Sequence, residues 1–379
     1  MENAQSQDVT TPRVAVVIAA HDEEAAIGAT CRAAAAQDHP LVAVLVVADG
    51  CSDRTVEIAR SVPGVTVVET VGNAHRKSGA LNAAWRMLRG EVDYFACIDA
   101  DTILPAESVT QWVRQMEAEP GTAGVSARFT MLPQEGRSWR QNTWARLQKA
   151  EFARWTDTAL NRGGHTSVLA GTACMLRVSA LDEVHEQRRG EGVDTGPWSY
   201  ASHVEDFELT YRLRGLGHAT KVSYEVRAYT DPMVEVGALW AQRMKWQGGT
   251  VEDLLAFGVN RLTLRDWGQQ LLGLCAAAVR VGWLLTTLAF ALAGSLHVQL
   301  LWFLVPLLFI ANDVKQSLRV PHRDAKDVLL AALLLPQEAF AWMRAGWFLK
   351  AWGECLQARL TGRTRDRWAL QYAAERAAA

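Results

Sequence analysis

No excess of one charge marks this chain. Its 39 lysines and arginines stand against 41 aspartates and glutamates, a net charge of −2, and that balance excludes an electrostatic nucleic-acid binder. Cysteine is scarce. Cys31, Cys51, Cys97, Cys174, Cys275 and Cys355 are scattered without metal-ligand spacing, which argues against a disulfide framework or zinc site and for reduced thiols facing the cytosol. No apolar run opens the chain: Met1 to Pro12 is polar, the expectation for a chain without a signal peptide. Internal repeats and low-complexity segments are also missing. Length predicts two or three domains, and hydropathy divides in two. Residues 13 to about 267 read as soluble α/β, and 268–350 are far more apolar.

What is present is organised around Asp99-Ala100-Asp101, at the end of the apolar run Tyr94 to Ile98. Residues two apart on a strand share a face. Two carboxylates held that close repel unless a cation intervenes, and a hard divalent ion bridging to a diphosphate suits them. A plain strand-end loop is the competing reading.

Arg13 to Ala20 (RVAVVIAA) and Val42 to Ala48 (VAVLVVA) are β-branched runs that predict buried parallel strands. After the first come His21-Asp22-Glu23-Glu24 and a helix to about Gln37, whose first turn the acids would suit. After the second come Asp49 and Ser52-Asp53, candidate caps for a helix over Arg54 to Arg60. Val65 to Glu69 predicts a third strand. Strand and helix alternate as in a doubly wound sheet, which binds ligands outside the carboxyl ends of its strands. His21, Asp49 and Asp99 each follow a strand and are expected to line one crevice. Lys77 lies in a Gly-bounded loop, Gly72 to Gly79, ahead of a helix predicted from Ala80, a position suited to phosphate or to plain solvation.

Trp139 to Trp155 predicts an amphipathic helix with Trp139, Trp144, Leu147, Phe152 and Trp155 on one stripe among basic residues. It faces either a core or a membrane interface. Val168 to Leu176 reads as a strand broken by a small-residue step at Gly171. His203 to Glu208 opens a helix that Gly217 ends; Asp206 is a cap or a functional acid. Gln242, Arg243, Lys245 and Trp246 crowd into five residues, a set able to hold a diphosphate and stack on a sugar, or simply an amphipathic helix.

Leu271 to Gly294 and Leu296 to Ala311 are long enough to cross a bilayer as a hairpin. Val328 to Leu349 is interrupted by Pro336, Gln337, Glu338 and Arg344, and is expected to pack against the others or lie at the surface. Lys315, Arg319, Arg323 and Lys326, and Arg359, Arg363, Arg365 and Arg367 in the tail, are cytoplasmic by the positive-inside rule. Nine of fifteen tryptophans fall from Trp240 onward, as an interfacial belt requires.

The pieces VVIAAHDEE, VVADGCSDRT, HRKSGALNAA, IDADT, VLAGTACMLR, VEDFELTYRLRGLG and QRMKW, in that order over about 13–250, resemble those of the inverting, GT-A-type family 2 glycosyltransferases. The likeness is strongest to the membrane-bound cellulose, chitin, hyaluronan and poly-N-acetylglucosamine synthases. The resemblance implies an α/β GT-A catalytic domain, a Rossmann-like doubly wound mixed sheet, followed by C-terminal transmembrane or interfacial helices. Its expected parts are a polar tail at 1–12, the catalytic domain at 13–234, the QRMKW segment at 235–267, two or three membrane helices at 268–350 and a basic cytoplasmic tail at 351–379.

It further implies that Ala19, His21, Glu23, Asp49, Lys77 and Asp99 hold the nucleotide, with Lys77 on the diphosphate, and that Asp101 ligates Mg²⁺ or Mn²⁺. Asp206, the second member of the Glu205-Asp206 pair, would be the general base. Gln242, Arg243, Lys245 and Trp246 would close over diphosphate and acceptor. The implied partners are a UDP-sugar donor, a glycan, lipid or protein acceptor, and the bilayer, with no nucleic acid. The expected setting is a multi-pass protein of the cell membrane with its catalytic domain in the cytosol. The chain departs from the family pattern at His21, where an aromatic is usual, at Asp22 in place of Asn, and at Lys245 in place of Arg, which loses the bidentate fork. No span is seen ahead of the catalytic domain. That predicts a homo-oligomer, an accessory membrane subunit, or a transferase that adds one or a few sugars.

Overall fold

Val14–Ala20 forms β1, and its residues are almost wholly buried because strands flank it on both sides. The structure is a computed structural model and describes residues 11–131, 136–295, 297, 301–362 and 365–377, with the backbone alone for 301–306. The chain divides into two units. The first takes the chain up to Ala127, then Leu169–Tyr200 and Leu216–Ala228. The second takes Arg128–Val168, Ala201–Gly215 and Tyr229 onward. The expected catalytic stretch 13–234 is thus shared between both.

The first unit is built on a seven-stranded sheet. Numbered along the chain, its strands are β1, β2 (Leu41–Ala48), β3 (Val65–Glu69), β4 (Tyr94–Asp99), β5 (Thr122–Thr130), β6 (Ala173–Arg177) and β7 (Ala219–Tyr229). They lie in the order β3-β2-β1-β4-β6-β5-β7. β1 pairs in parallel with β2 and β4, and β3 runs parallel to β2, whereas β6 is antiparallel to β4 and β5. The sheet is therefore mixed, as expected. Its helices include α1 (Ile27–Ala35), α2 (Thr55–Arg60), α3 (Arg76–Leu88) and α4 (Ser108–Ala118).

Local boundaries differ from the sequence reading in three places. α1 starts only at Ile27 and has no acid in its first turn; Asp22 and Glu23 lie ahead of a turn at Glu24 to Ala26, and the Glu23 carbonyl accepts from the Ile27 amide at 2.9 Å. α3 starts at Arg76 rather than Ala80, so Lys77 lies on its first turn. The strand read from Val168 begins only at Ala173, because Ala170 to Thr172 make a turn, with the Ala173 amide 3.2 Å from the Ala170 carbonyl.

The second unit is helical. It holds α5 (Trp139–Leu160), α7 (Glu205–Gly215), α8 (Val236–Phe257), α9 (Leu264–Leu292), α10 (Leu301–Ser317), α11 (Ala325–Ala332), α12 (Leu334–Thr361) and α13 (Arg367–Arg376); α6 (Val178–Gly190) belongs to the first unit. Leu147, Leu239, Met244, Phe340, Trp347 and Ala351 form a core joining α5, α8 and α12, each large side chain contributing roughly 1.5–3 kcal/mol by burial. On α5 the tryptophan stripe is split: Leu147 and Phe152 are buried, while Trp139 is 74 % exposed and Trp155 46 %. Three basic residues of that helix, Arg146, Lys149 and Arg154, are paired with acids, while Arg140 is exposed. Arg146 holds Asp324 and Asp327, and Lys149, 3 % exposed, donates to Asp327 at 2.9 Å.

Of the three expected spans, the first is α9. It is the one helix among the described residues that is long and apolar enough alone to cross a membrane, and only 6 % of its most apolar stretch is buried. At 29 residues it is about 44 Å long, against a hydrocarbon core of about 30 Å. Part of the second, Leu296 to Ala311, lies outside the described residues, and the rest falls on α10. The third is broken: α11 and α12 meet at 76°. Pro336 explains the break, since it cannot donate a backbone hydrogen bond inside a continuous helix but is tolerated in the first turn of α12, where it lies. The expected basic tail is not loose throughout. Arg363 lies outside the described residues, but Arg367 opens α13 and is 4 % exposed.

Candidate active site

In the first unit, β1, β2 and β4 end together on one edge. Ala20 is in register with Ala48, and Ala19 with Asp99, so the residues that follow line the carboxyl edge of a parallel sheet. His21 Nδ1 lies 2.6 Å from the Asp49 carbonyl, which fixes the ring across β1 and β2. The Asp49 carboxylate accepts from Asn73 Nδ2 at 2.8 Å and from the Thr70 hydroxyl. Asp22 adopts a left-handed conformation, φ 53°, which Asp and Asn tolerate alike. Its Oδ1 accepts from the Ser52 amide at 2.6 Å. Asp22 therefore serves a turn, a role open to Asn as well. Glu23 is anchored through its amide, which donates to Thr55 Oγ1 at 2.7 Å.

Lys77 donates to Asp99, and its Nζ is 3.4 Å from the Gly171 carbonyl. The Asp99 amide donates to the Thr172 carbonyl at 3.0 Å. The small-residue step before β6 thus brings backbone against the acidic strand end, as a glycine there allows. Ala100, between the two acids, is fixed from behind: buried Thr30 of α1 donates to its carbonyl at 2.7 Å. Asp101 is half-buried, and Thr102 Oγ1 lies 3.1 Å from its Oδ1. Ala19, Asp99, Lys77 and Asp101 thereby gather on one edge with His21 and Asp49.

This set fits a divalent ion. Lys77 compensates Asp99, Asp101 offers hard carboxylate oxygens beside it, and Mg²⁺ takes one or two carboxylates and completes its shell with phosphates. Among the described residues, one group of three potential ligand atoms lies within 4.8 Å, from Asp22, Cys51 and Asp53. It suits such an ion poorly. Asp53 accepts from the Thr55 and Glu24 amides at 2.9 Å, Asp22 is held by Ser52, and burial pushes the Cys51 thiol up, away from a thiolate.

In the second unit, α7 opens on Glu205-Asp206. Glu205 is 6 % exposed and Asp206 half-buried, so Asp206 is the more accessible acid. Its Oδ1 accepts from the Phe207 amide at 2.8 Å. Trp246 packs on the cluster of Val204, Phe207 and Leu254, which brings the QRMKW helix to the start of α7. Gln242 is half-buried. Arg243, 3 % exposed, lies 3.0 Å from Glu151 and sits among the rings of Trp246, Phe152 and Trp155, 4.4, 5.3 and 5.4 Å from their centroids. Burial lowers its pKa; Glu151 opposes that and the Arg344 charge adds to it. Lys245, also buried, has its Nζ 3.2 Å from the centre of the Trp368 ring, a cation–π contact. Both cations of the motif are thus engaged within this unit.

Sequence reasoning missed Thr30, Asn73, Glu151, Glu252, Asp253 and Arg367. A signal for part of this set exists in Gly248-Gly249, two glycines inside a helix, which mark a close approach.

Residues 15–185 match the family described as glycosyl transferase family 2. The β-monoglucosyldiacylglycerol synthase of Trichormus variabilis is 26 % identical over 259 residues, 65 % of this chain and 50 % of that protein. The poly-β-1,6-N-acetyl-D-glucosamine synthase of Staphylococcus epidermidis is 22 % identical over 250 residues, 64 % and 55 % of the two chains. The chain therefore spans about half the length of the curated relatives it matches. A solved mannosyltransferase from Pyrobaculum calidifontis, in complex with GDP-mannose and Mn²⁺, shares the fold with a TM-score of 0.61 at 17 % identity, over 92 % of this chain and 88 % of that one.

Proposed function

We propose, for a chain whose residues 15–185 match glycosyl transferase family 2, transfer of a sugar from a UDP-sugar to a hydroxyl of a membrane-associated acceptor with inversion at the anomeric carbon. The product on this reading is a β-linked polysaccharide or glycolipid. The observation that carries it is the acidic end of β4, where Lys77 pairs with Asp99 and Asp101 follows two residues on.

His21, Glu23 and Asp49 bind the uridine, and Lys77 binds the diphosphate, as a cation at a helix start suits. Asp101 would hold Mg²⁺ or Mn²⁺, and such an ion, when bound, supplies charge neutralisation for the leaving diphosphate. Asp206 takes the proton from the acceptor hydroxyl as that oxygen forms its bond to C1 and the C1–O bond to UDP breaks. A single displacement inverts the centre, so an α-linked donor gives a β-linked product. The relatives' names, a glucolipid synthase and a polysaccharide synthase, support a membrane-held acceptor, and the uncovered apolar stretch of α9 supports anchoring in the cell membrane; the basic residues after α10 and in the tail favour catalysis on the cytosolic side. A single α9-like helix among the described residues also favours a second reading, addition of one or a few sugars to a lipid or protein.

The test is UDP release by the full-length chain from UDP-glucose, UDP-N-acetylglucosamine and UDP-glucuronate, with radiolabel followed into product. A ladder of long products supports polymer synthesis, and one addition supports the second reading. No UDP release from any of the three, with diacylglycerol or oligosaccharide acceptors present, overturns the proposal. Asp206→Asn is expected to abolish transfer and leave UDP binding intact.

A further inference from the structure

The C-terminal helix is tied to the residues that precede Asp206. Arg367, the first residue of α13, donates from Nε and Nη2 to Glu252 Oε1 at 3.1 and 3.0 Å. Its Nη1 lies 3.4 Å from both the Met244 carbonyl and Glu354 Oε2, and its Nη2 is 3.3 Å from Cys355 Sγ. The guanidinium can come this close only because residue 248 is glycine: a Cβ there would meet it at 2.2–2.5 Å. The next residue, Trp368, receives Lys245 on its ring. The end of the chain thus grips α8 along the QRMKW motif and just beyond it.

The adjacent stripe of α8, one residue on, grips the entry to α7. Glu252, held by Arg367 through Oε1, accepts His203 Nδ1 at 3.1 Å on Oε2. Its neighbour Asp253 accepts from Ser202 Oγ at 2.7 Å, and Ser202 Oγ accepts from the Val204 amide at 3.0 Å. Gly249 permits this contact as Gly248 permits the other, since a Cβ there would lie 2.9–3.0 Å from the Val204 methyls. Burial opposes ionisation of Glu252, but His203 and Arg367 outweigh it and hold the carboxyl below its usual range. A carboxylate gripped from two sides by charged or polar donors is a stiff link.

We propose that Arg367 is a positioning residue for Asp206, acting through Glu252 and His203 to fix the first turn of α7. The inference rests on the reading of Asp206 as the base. Arg367 is 4 % exposed and engaged by Glu252 and its neighbours; on this reading it sets where the acid stands. Displacing a base by about an ångström is enough to cost on the order of 100-fold in rate, so a loosened anchor acts on kcat and spares donor binding.

The experiment uses the full-length chain in detergent and follows UDP release from the most active of the three UDP-sugars named above, with UDP binding and thermal melting measured beside it. Arg367→Ala is expected to lower kcat by about tenfold or more while donor KM and the UDP Kd move by less than about twofold. Arg367→Lys is expected to recover part of the loss. Glu252→Gln is expected to lower kcat alike, and the double variant to lose little more, because both cut one link. A folded Arg367→Ala enzyme with full kcat, or losses that multiply in the double variant, overturns the proposal. Should Arg367→Ala fail to fold, Glu252→Gln and His203→Gln carry the test, and full kcat in both overturns it. Asp206→Asn separates the two readings. Turnover retained there removes the base assignment itself, whereas an inactive Asp206→Asn beside a fully active Arg367→Ala removes only the anchor.

Discussion

Lys77 and Asp99 pair at the carboxyl edge of the sheet with side chains 17 % and 33 % exposed, and the same ammonium reaches the Gly171 carbonyl. A lysine so placed is preorganised at the carboxyl edge. If it contacts the donor diphosphate, Lys77→Met removes a charge-assisted contact and should weaken UDP binding by about 10- to 100-fold. Titration calorimetry with UDP measures this. A Kd equal to that of the parent chain would take Lys77 out of the diphosphate site.

Asp101 stands half-buried two residues beyond Asp99, and if it holds a divalent ion its loss should be felt through the metal. EDTA is expected to abolish UDP release and Mn²⁺ or Mg²⁺ to restore it. Asp101→Asn is expected to raise the metal concentration for half-maximal rate by about tenfold or more. Undiminished turnover in EDTA would dismiss the ion.

Thr30 supports the same turn from behind. Its hydroxyl donates to the buried carbonyl of Ala100 at 2.7 Å, and valine has nearly the same shape without the donor. Thr30→Val leaves that carbonyl unpaired and should cost about 1–3 kcal/mol in denaturant unfolding. It should also lower turnover, because Ala100 lies between the two acids. Neither effect appearing would mean that the turn holds itself.

The sheet was legible because β1, β2 and β4 are uninterrupted apolar runs ended by polar residues, a pattern with one cheap solution. The placement of His21, Asp49 and Asp99 on one edge followed from that alone. Lys77 reads as part of a loop because its surroundings are polar. In the structure α3 starts at Arg76 with no side-chain cap, and the turn before it is held by Asn73, whose side chain donates to the Arg76 carbonyl at 2.8 Å, with Arg76 itself at φ 50°. No periodic pattern carries that information. The partners of Arg243 were illegible for another reason. Glu151 sits on α5, and only tertiary packing brings it to 3.0 Å. Pro336 signalled a fault in the third apolar run, and the 76° bend between α11 and α12 is its consequence.

Asp253 gives a pH dependence whose sign can be worked out. It is 8 % exposed, and its carboxyl is pushed up to about 8, chiefly by burial; the Ser202 hydrogen bond opposes this, and the charges of Glu208, Glu252 and Asp206 add to it. An unfolded aspartate titrates near about 4. Between these two values the folded chain holds a proton that the unfolded chain has released, so this residue withdraws stability as pH rises through the window. Above about 8 the withdrawal is complete, because both states are then ionised. Asp253→Asn keeps the shape and an acceptor for Ser202 and has no proton to lose. Its thermal midpoint should lie close to that of the parent chain at pH 5 and above it at pH 9, by several degrees for a difference of roughly 2–5 kcal/mol. Parallel stability curves for the two proteins across that range would show that Asp253 is ionised in the folded state throughout.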